Sequence, residues 1–256
     1  MKNTLLKIIG FHATIVHGDT LVWDRWRWVK GFLPITYQRE TLLDVGCGSG
    51  AFTIGAALRG YDSTGLSWDE SNLEIAKERA KILKVTDAKF TICDARKLHQ
   101  KKEFIDKFDF VVNTENIEHI LDDKKLIVDM AACMKAGGRL LLTTPNINYY
   151  PMTSDDIGPF SKYEDGGHVR RGYSEQMLTE LCEIGGLKVE KIEYCSGFIS
   201  QKITALLRIL KKITNYQLAW VITFPLRPLV LLLDKFYFGR GYSICLHAYK
   251  PRFMKI

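Results

Sequence analysis

Residues 42–50 read Leu-Leu-Asp-Val-Gly-Cys-Gly-Ser-Gly. This segment has the pattern of an apolar strand that runs into a glycine-rich turn, and the turn opens a helix predicted over residues 50–59. Positions without a side chain let a ligand approach the backbone, and the first turn of a helix offers free N–H groups. Open α/β sheets bind nucleotides in such crevices at strand ends. The segment therefore predicts a nucleotide-type ligand without identifying it.

The rest of the chain continues the alternation of short apolar runs and helical segments. Strands are predicted over 41–45, 61–66, 89–93, 109–113, 138–144, 187–194 and 242–249. Further helices are predicted over 69–83 and 122–136, the second ended by a left-handed cap at Gly137-Gly138. Strands that alternate with helices indicate an α/β fold with a mostly parallel sheet and crossover helices.

The charge of the chain is concentrated near one end. The formal net charge is +7, yet residues 201–256 hold ten basic residues and one acidic residue. The preceding 200 residues are therefore close to neutral, which argues against a basic groove for nucleic acid along the fold. The basic segment is rich in leucine rather than in aromatic stacking residues, so RNA is a less favoured substrate.

The six cysteines lie far apart and form no Cys-x-x-Cys pair. Neither a zinc finger nor a disulfide-rich secreted domain has that pattern. Lys7 breaks the short apolar run that follows Lys2, which is not typical of a secretory leader. A reducing, cytoplasmic location is the expectation.

Five motifs in order along the chain carry a resemblance to a known family. Asp44 precedes the glycine turn, Asp94 closes the segment Thr91-Ile92-Cys93-Asp94-Ala95, and residues 108–113 and 134–146 supply two further strands. The last strand ends in Ala-Tyr-Lys-Pro at 248–251. Together these motifs resemble the class I S-adenosylmethionine-dependent methyltransferases over about residues 38–250, and in particular the ubiquinone-pathway O-methyltransferases. Because Gly46-x-Gly48-x-x-Ala51 also satisfies a relaxed dinucleotide fingerprint, a nicotinamide-dependent oxidoreductase stays open.

The resemblance implies a Rossmann-like, seven-stranded, mostly parallel sheet with an antiparallel last strand. It divides the chain into an N-terminal helical cap (1–37), a methyltransferase domain (38–250) and a tail (251–256). Two insertions interrupt the domain, an acceptor-side loop at 145–173 and an apolar, basic, helical segment at 198–238.

The resemblance also implies S-adenosylmethionine as the cofactor. Nine residues are expected to hold it: Asp44, Gly46, Cys47, Gly48, Ser67, Trp68, Asp94, Ala95 and Asn113. Asp44 would face the methionine amino group, and Asp94 would accept from the adenine amine or cap a helix. Ser67 departs from the family pattern, because most relatives place an acidic residue there. Cyclopropane fatty acid synthase relatives share a non-acidic residue at this point, which keeps lipid C-methylation open.

The chemistry is expected just after the fourth strand, in Glu115-Asn116-Ile117-Glu118-His119. Methyl transfer to a hydroxyl needs positioning and a base, and His119, His168 and Glu115 are the catalytic candidates. A structural role for this motif is an alternative. No metal is the primary expectation, although the resemblance implies a second alternative, a divalent ion on Glu115, Glu118, His119 and His168.

The acceptor-side loop carries a dense set of polar side chains. Arg170 or Arg171 can clamp a phosphate or carboxylate, or can form ion pairs with Glu164 and Asp165. Ser174 is predicted to cap a helix over residues 175–184.

Residues 203–235 combine basic residues with an apolar run cut by Pro225, Arg227 and Pro228. A span needs about 20 uninterrupted apolar residues, so this segment is expected not to cross a bilayer. Leucines flanked by Lys211, Lys212, Arg227 and Lys235 suit peripheral contact with an anionic membrane. A helical cap or a homodimer face is the plainer interpretation, both here and for the N-terminal tryptophans.

The function predicted from the sequence is O-methylation of a small hydrophobic or anionic acceptor that is lipid-linked, glycosyl or quinone-like. Alternatives are a lipid C-methyltransferase, an RNA methyltransferase and a catalytically silent cofactor-binding protein.

Overall fold

The structure is a computed structural model and describes residues 2–16, 18–153, 156–235 and 241–252. Its seven strands are β1 (Thr41–Val45), β2 (Asp62–Ser67), β3 (Ala88–Ile92), β4 (Phe108–Thr114), β5 (Met134–Pro145), β6 (Lys188–Cys195) and β7 (Ser243–Tyr249). They form one sheet in the order β3-β2-β1-β4-β5-β7-β6. Strands β1 to β5 pair in parallel, while β7 pairs antiparallel with β5 and β6. The predicted fold class is confirmed.

Helices precede the sheet, connect its strands and form the later insertion. They are α1 (Lys2–Ile9), α2 (His12–Val16), α3 (Thr20–Phe32), α4 (Ala51–Ala57), α5 (Glu70–Ile82), α6 (Asp123–Cys133), α7 (Glu175–Ile184), α8 (Phe198–Ile213), α9 (Tyr216–Thr223) and α10 (Pro228–Leu233). Short 3-10 turns occupy Ala95–Gln100, Lys102–Phe104, Ile117–His119 and Phe224–Leu226. Ser174 caps α7 by accepting from the Met177 N–H, as predicted.

Strand β1 is buried on both faces of the sheet. Leu43 and Val45 belong to the core that α6 and α7 cover, whereas Leu42 packs on the opposite face with Trp26 of α3 and Phe52 of α4. All three β1 side chains are fully buried. A central parallel strand covered by helices on both sides needs apolar side chains towards both faces, which explains Leu42, Leu43 and Val45.

The predicted helix over residues 122–136 is wrong at its end. Helix α6 stops at Cys133, and Met134 begins β5 by pairing with Phe108 of β4. Gly137 has a φ of +86° as predicted for a cap, but it lies inside the strand, where its N–H donates to the Lys250 carbonyl. Backbone pairing of this segment with β4 and with Lys250, just after β7, therefore outweighs the local preference of the sequence for a helix.

The N-terminal helices pack on the sheet, and the later insertion packs on them. The Trp26 ring contacts Phe52 edge-on, with the ring centroids 5.7 Å apart. Thr20 of α3 donates its hydroxyl to the Ser200 carbonyl of α8 at 2.9 Å. Of the expected segments, residues 1 and 17 of the cap, 154–155 of the loop, 236–238 of the insertion and 253–256 of the tail lie outside the described residues.

Candidate active site

The turn after β1 needs glycine at two points. Gly46 has a φ of +81°, and a Cβ there would lie 2.5 Å from the Asn116 side chain. Gly50 has a φ of +79° and precedes α4. A side chain at Gly46 would therefore be strained and would also clash with its neighbour. The turn is held by the N–H groups of Gly46 and Cys47, which both donate to the Leu66 carbonyl.

A cavity of about 410 Å³ opens at the carboxyl ends of β1 to β4. Its volume falls within the range of about 300–1,000 Å³ that is usual for small-molecule sites. Its wall consists of Gly46, Gly48, Ser67, Trp68, Asp69, Asn72, Asp94, Ala95, Arg96, Glu115, Asn116, His119, Ile120, Glu164, Asp165 and Gly166. Six of the nine predicted cofactor residues are in this wall, while Asp44, Cys47 and Asn113 lie behind it.

Asp44 is fully buried and incompletely bonded. Its Oδ2 accepts from the Thr53 hydroxyl at 2.7 Å, while its Oδ1 has no hydrogen-bond partner. Burial raises the pKa of Asp44 to about 6, and the Thr53 hydrogen bond opposes that rise. A buried carboxylate oxygen without a partner is costly, so this position favours a cationic group nearby.

Asn113 and Cys47 support the wall from behind. Asn113 is fully buried and donates its Nδ2 to the Val45 carbonyl at 3.0 Å, which joins β4 to β1, while its Oδ1 has no partner. Cys47 packs against β2, where a Cβ on Gly65 would lie 2.9 Å from its Sγ. Both residues shape the cavity through the backbone that they hold.

The end of β2 presents three polar side chains. The Ser67 hydroxyl accepts from the Asp69 N–H at 3.1 Å, and Asp69 caps α5 by accepting from the Ser71 N–H at 2.9 Å. Asn72 donates its Nδ2 to Asp69 at 2.6 Å. Asn72 was missed from the sequence, although its place in the first turn after a capping aspartate is a local signal. Trp68 is 66% exposed and lies at the cavity mouth.

Asp94 is bound by a neighbour that the sequence reasoning missed. It caps the following 3-10 turn through the Arg96 N–H, and its carboxylate accepts from the Arg96 guanidinium at 2.6–2.9 Å. Arg96 lowers the pKa of Asp94. Arg96 also donates to Glu164 at 2.8 Å, which fastens the acceptor-side loop over the cavity.

Three of the predicted catalytic and metal-binding side chains come together. One ligand atom from each of Glu118, His119 and His168 lies within 4.8 Å of the others. Glu118 is fully buried, and its Oε2 accepts from the Thr144 hydroxyl at 3.0 Å while its Oε1 has no partner. Burial and the neighbouring Glu115 raise the pKa of Glu118 well above its usual range.

The hydrogen bonds of His119 define its tautomer. Its Nδ1 lies 3.0 Å from the Gly167 carbonyl, and a carbonyl only accepts, so Nδ1 carries the proton. In the neutral ring, Nε2 then keeps its lone pair, 3.9 Å from the unpaired Glu118 Oε1. The His168 ring packs edge-on at 4.7 Å, and burial and His119 lower its pKa to about 4. The neutral form of the His168 ring is therefore favoured beside His119.

Glu115 lies outside that group of donors. Its Oε1 accepts from the hydroxyls of Thr143 and Ser243, both at 3.1 Å, and its Oε2 lies 3.4 Å from the Arg25 guanidinium. Burial by itself lowers the pKa of Arg25. The neighbouring Glu115 carboxylate acts in the other direction, and the pKa of Arg25 is raised above its ordinary value. Arg25 was missed as a site residue; the only sequence signal is its place among the tryptophans of α3.

Of the two roles left open for Arg170 and Arg171, ion pairs with Glu164 and Asp165 are not the contacts that the described residues make. Arg170 pairs with Asp123, donates to Tyr173 at 2.5 Å and also bonds two backbone carbonyls. Arg171 donates to the Tyr149 carbonyl at 2.9 Å. Both arginines therefore hold the acceptor-side loop in place, Arg170 through Asp123 and two carbonyls, and Arg171 through one carbonyl.

Comparison with known proteins gives a consistent result. A family profile described as "Methyltransferase domain" matches residues 38–184. The ubiquinone biosynthesis O-methyltransferase of Coxiella burnetii is 29% identical over 159 residues, which are 60% of this chain and 66% of that protein. The chain thus spans just under two thirds of that relative.

Solved structures share the fold at low identity. Phosphoethanolamine N-methyltransferase 2 of Haemonchus contortus, in complex with S-adenosyl-L-methionine, has a TM-score of 0.63 and 18% identity, over 98% of this chain and 60% of that one. The cyclase SpnF has a TM-score of 0.61 and 20% identity, over 90% and 82%. One fold therefore serves proteins that are named for different reactions.

Proposed function

The chain belongs to the methyltransferase domain family, and from that premise we propose that it transfers a methyl group from S-adenosylmethionine to a hydroxyl of a small hydrophobic or anionic acceptor. The acceptor class is lipid-linked, glycosyl or quinone-like. One observation carries the proposal: the cavity at the carboxyl ends of β1 to β4 has His119 in its wall, with an Nε2 that is free to accept a proton. Transfer to a hydroxyl needs such a base beside the donor.

The cavity wall fits the proposed cofactor. Polar side chains from the β2 end (Asp69, Asn72) suit ribose hydroxyls, and Asp94 suits an exocyclic amine. The unpaired oxygens of Asp44 and Asn113 lie behind the wall, where an ammonium group at the glycine turn would offset their burial. When bound, the cofactor supplies an electrophilic methyl group on a sulfonium centre.

The protein residues then position the acceptor and remove its proton. Nε2 of His119 accepts the hydroxyl proton, and the Gly167 carbonyl, which accepts from Nδ1, stabilises the resulting imidazolium. Glu115 is held by Arg25 from α3, which fixes the orientation of this carboxylate in the cavity wall. The loop fastened by Arg96 and Glu164 limits the access of water.

A divalent metal is the second candidate, because Glu118, His119 and His168 offer donors within 4.8 Å of one another. One carboxylate and two neutral imidazoles suit Zn²⁺ or Mn²⁺ better than Mg²⁺. Such an ion supplies a Lewis acid that lowers the pKa of a bound hydroxyl. Glu115, the fourth expected ligand, is bonded elsewhere. Dialysis against chelator separates the two candidates: unchanged turnover in metal-free protein supports His119 as base, and loss that Zn²⁺ or Mn²⁺ restores supports the ion.

For location, the proposal is the cytoplasm with peripheral membrane contact through residues 203–235. For partners, it is a small-molecule or lipid-like acceptor, with nucleic acid as a less favoured alternative and a homodimer face as the other interpretation of residues 203–235. Calorimetric titration with S-adenosylmethionine and with NADH tests the cofactor directly. Tight binding of NADH without binding of S-adenosylmethionine would overturn the assignment, and comparison of metabolites labelled from isotopic methionine in cells with and without the protein identifies the acceptor.

A further inference from the structure

Helices α8, α9 and α10 expose an apolar surface, here called the insertion surface. Its most exposed members are Ile213 (73%), Leu232 (56%) and Val221 (55%), with Ile209 and Leu218 at 48%. These side chains follow one another over three consecutive helices. Since α9 and α10 both pack against α8, exposed apolar residues that recur over all three helices indicate a binding surface rather than scattered single residues.

The segment Tyr216–Leu233 is long and apolar enough to span a membrane by length and composition, and 22% of it is buried. The buried residues, however, form one stripe at spacings of four, four and three: Ala219, Thr223, Arg227 and Val230. Arg227 is 3% exposed and donates to the carbonyls of Val16 and Gly18, so its predicted place on a membrane-facing surface is wrong. A helix with one side fixed to the protein lies along a surface and does not cross a bilayer.

The charges on the insertion surface indicate the kind of partner that it binds. Lys202, Lys211, Lys212 and Lys235 are exposed around the apolar residues. Asp234, the one acidic residue between 198 and 235, turns inward and caps α8 by accepting from the Ile199 N–H at 2.6 Å. Two copies that met through this surface would oppose lysine to lysine, whereas an anionic surface complements it.

We propose that the insertion surface binds an anionic lipid bilayer, with α8 to α10 in the plane of the headgroups. Basic residues near such a surface contribute about 1 kcal/mol each. The consequence for catalysis rests on the proposed function. Arg208, on the inner side of α8, donates to Asp156 of the acceptor-side loop at 3.2 Å, and both affect the pKa of His168. A single ion pair thus joins the bilayer-bound helix α8 to the loop beside the active site. The acceptor class that follows from this arrangement is an amphiphile that resides in the membrane.

The test is co-sedimentation of the full chain with vesicles of phosphatidylcholine, with and without phosphatidylglycerol. Binding to the anionic vesicles at low salt, reversed at high salt, is expected. The variant Lys211→Glu/Lys212→Glu should weaken the apparent affinity by more than about tenfold, and Val221→Gln/Leu232→Gln should weaken it at every salt concentration. Lys77→Glu/Lys81→Glu and Leu58→Gln/Ile184→Gln are matched controls, since they change exposed residues of α5, the α4 end and α7. These controls should bind like the natural chain.

Three outcomes would overturn the proposal. They are no binding to anionic vesicles at low salt, equal binding to neutral vesicles that resists salt, and a dimer in solution that Val221→Gln/Leu232→Gln dissociates. Affinity for S-adenosylmethionine, measured in the same preparations without lipid, tests the methyltransferase assignment separately. A chain that binds the cofactor but no vesicle contradicts only the membrane surface.

Discussion

Asp44 is a buried carboxyl whose charge changes close to neutral pH. Burial raises its pKa to about 6, against about 3.9 for an unfolded aspartate. The folded state therefore binds more protons between about pH 4 and pH 6. The stability that this group contributes is fully present below about pH 4 and is lost as the pH rises through about 6. Without a ligand, Asp44→Asn should raise the free energy of unfolding at pH 7 by on the order of 2 kcal/mol.

Binding of the cofactor should show the opposite pH dependence. An ammonium group at the glycine turn is stabilised only by the ionised carboxylate, so affinity for S-adenosylmethionine should be about tenfold weaker at pH 5 than at pH 7. Asp44→Asn should remove this step and leave weak binding at both pH values. Asp24→Asn is the control, because Asp24 also has a pKa raised to about 6 but lies on α3, where it accepts from the Ser200 hydroxyl of α8 at 2.7 Å. Calorimetry that finds the same step in Asp44→Asn would contradict the role.

His119 gives the second prediction at this scale. His119→Ala should lower kcat by about 10²–10⁴, the usual contribution of a general base. Affinity for S-adenosylhomocysteine should change by less than about tenfold, the equivalent of 1.4 kcal/mol. His12→Ala removes an exposed imidazole from α2 and should leave both quantities unchanged. Turnover by His119→Ala at the natural rate would exclude the base.

Single residues were predictable from sequence where their signal is local. Ser174 caps α7 as predicted, and Asp94, for which a cap was one of two predicted roles, caps the 3-10 turn after β3. Arg96 was missed despite a local signal, its place two residues after Asp94. Its contact with Glu164 and that of Arg25 with Glu115 were missed because these partners lie far along the chain. Pairing over such separations depends on the packed fold, which composition and spacing do not encode.

Helix α3 reaches the site through one side chain, and this contact supports a prediction about elements. Arg25 and Glu115 are 12% and 14% exposed, so removing one partner leaves a buried charge. Arg25→Met should lower the free energy of unfolding by about 3 kcal/mol. Arg25→Met/Glu115→Gln should cost less than the two single changes together, because both charges are then absent.

Arg27→Met is the control on the same helix. Its guanidinium is 53% exposed and 3.9 Å from Asp24, so the change should cost less than about 1 kcal/mol. Urea unfolding of the four variants measures these differences. Strict additivity of Arg25→Met and Glu115→Gln would show that α3 does not hold the Glu115 carboxylate.

The elements themselves were predictable to within one or two residues where the hydrophobic period is clear. The exception is the end of α6, where Lys135 and Ala136 suit a helix but join β5, because β4 and the segment after β7 offer backbone partners there. Arg227 is a similar case. Its sequence context suggested a place on a membrane-facing surface, yet the carbonyls of Val16, the last residue of α2, and of Gly18 bind it inside the protein.

At the scale of the whole molecule, charge and function are separated along the chain. The near-neutral domain carries the cavity, while the exposed lysines of α8 and the segment after α10 lie on the insertion surface. This division was visible in the sequence, as was the α/β sheet. The sequence did not show that α8 has two functional sides, with its lysines exposed to solvent and Arg208 bonded to Asp156 of the acceptor-side loop. Helical spacing alone does not say which side of a helix meets a loop that lies elsewhere in the chain.

Cofactor binding should stabilise the molecule as a unit, because the cavity takes residues from the ends of β1 to β4 and from the acceptor-side loop. A ligand present at 100 times its Kd and bound only to the folded state adds about 2.7 kcal/mol. For a chain of this size that corresponds to a rise in Tm of about 5–10 °C. S-adenosylhomocysteine should produce this rise in Tm and NADH should not.

Gly46→Ala brings a Cβ against Asn116 in the cavity wall and should abolish the ligand-induced rise in Tm. Gly31→Ala, where a Cβ meets nothing within 4 Å, should retain it. A rise that survives in Gly46→Ala would mean that the ligand binds outside this cavity.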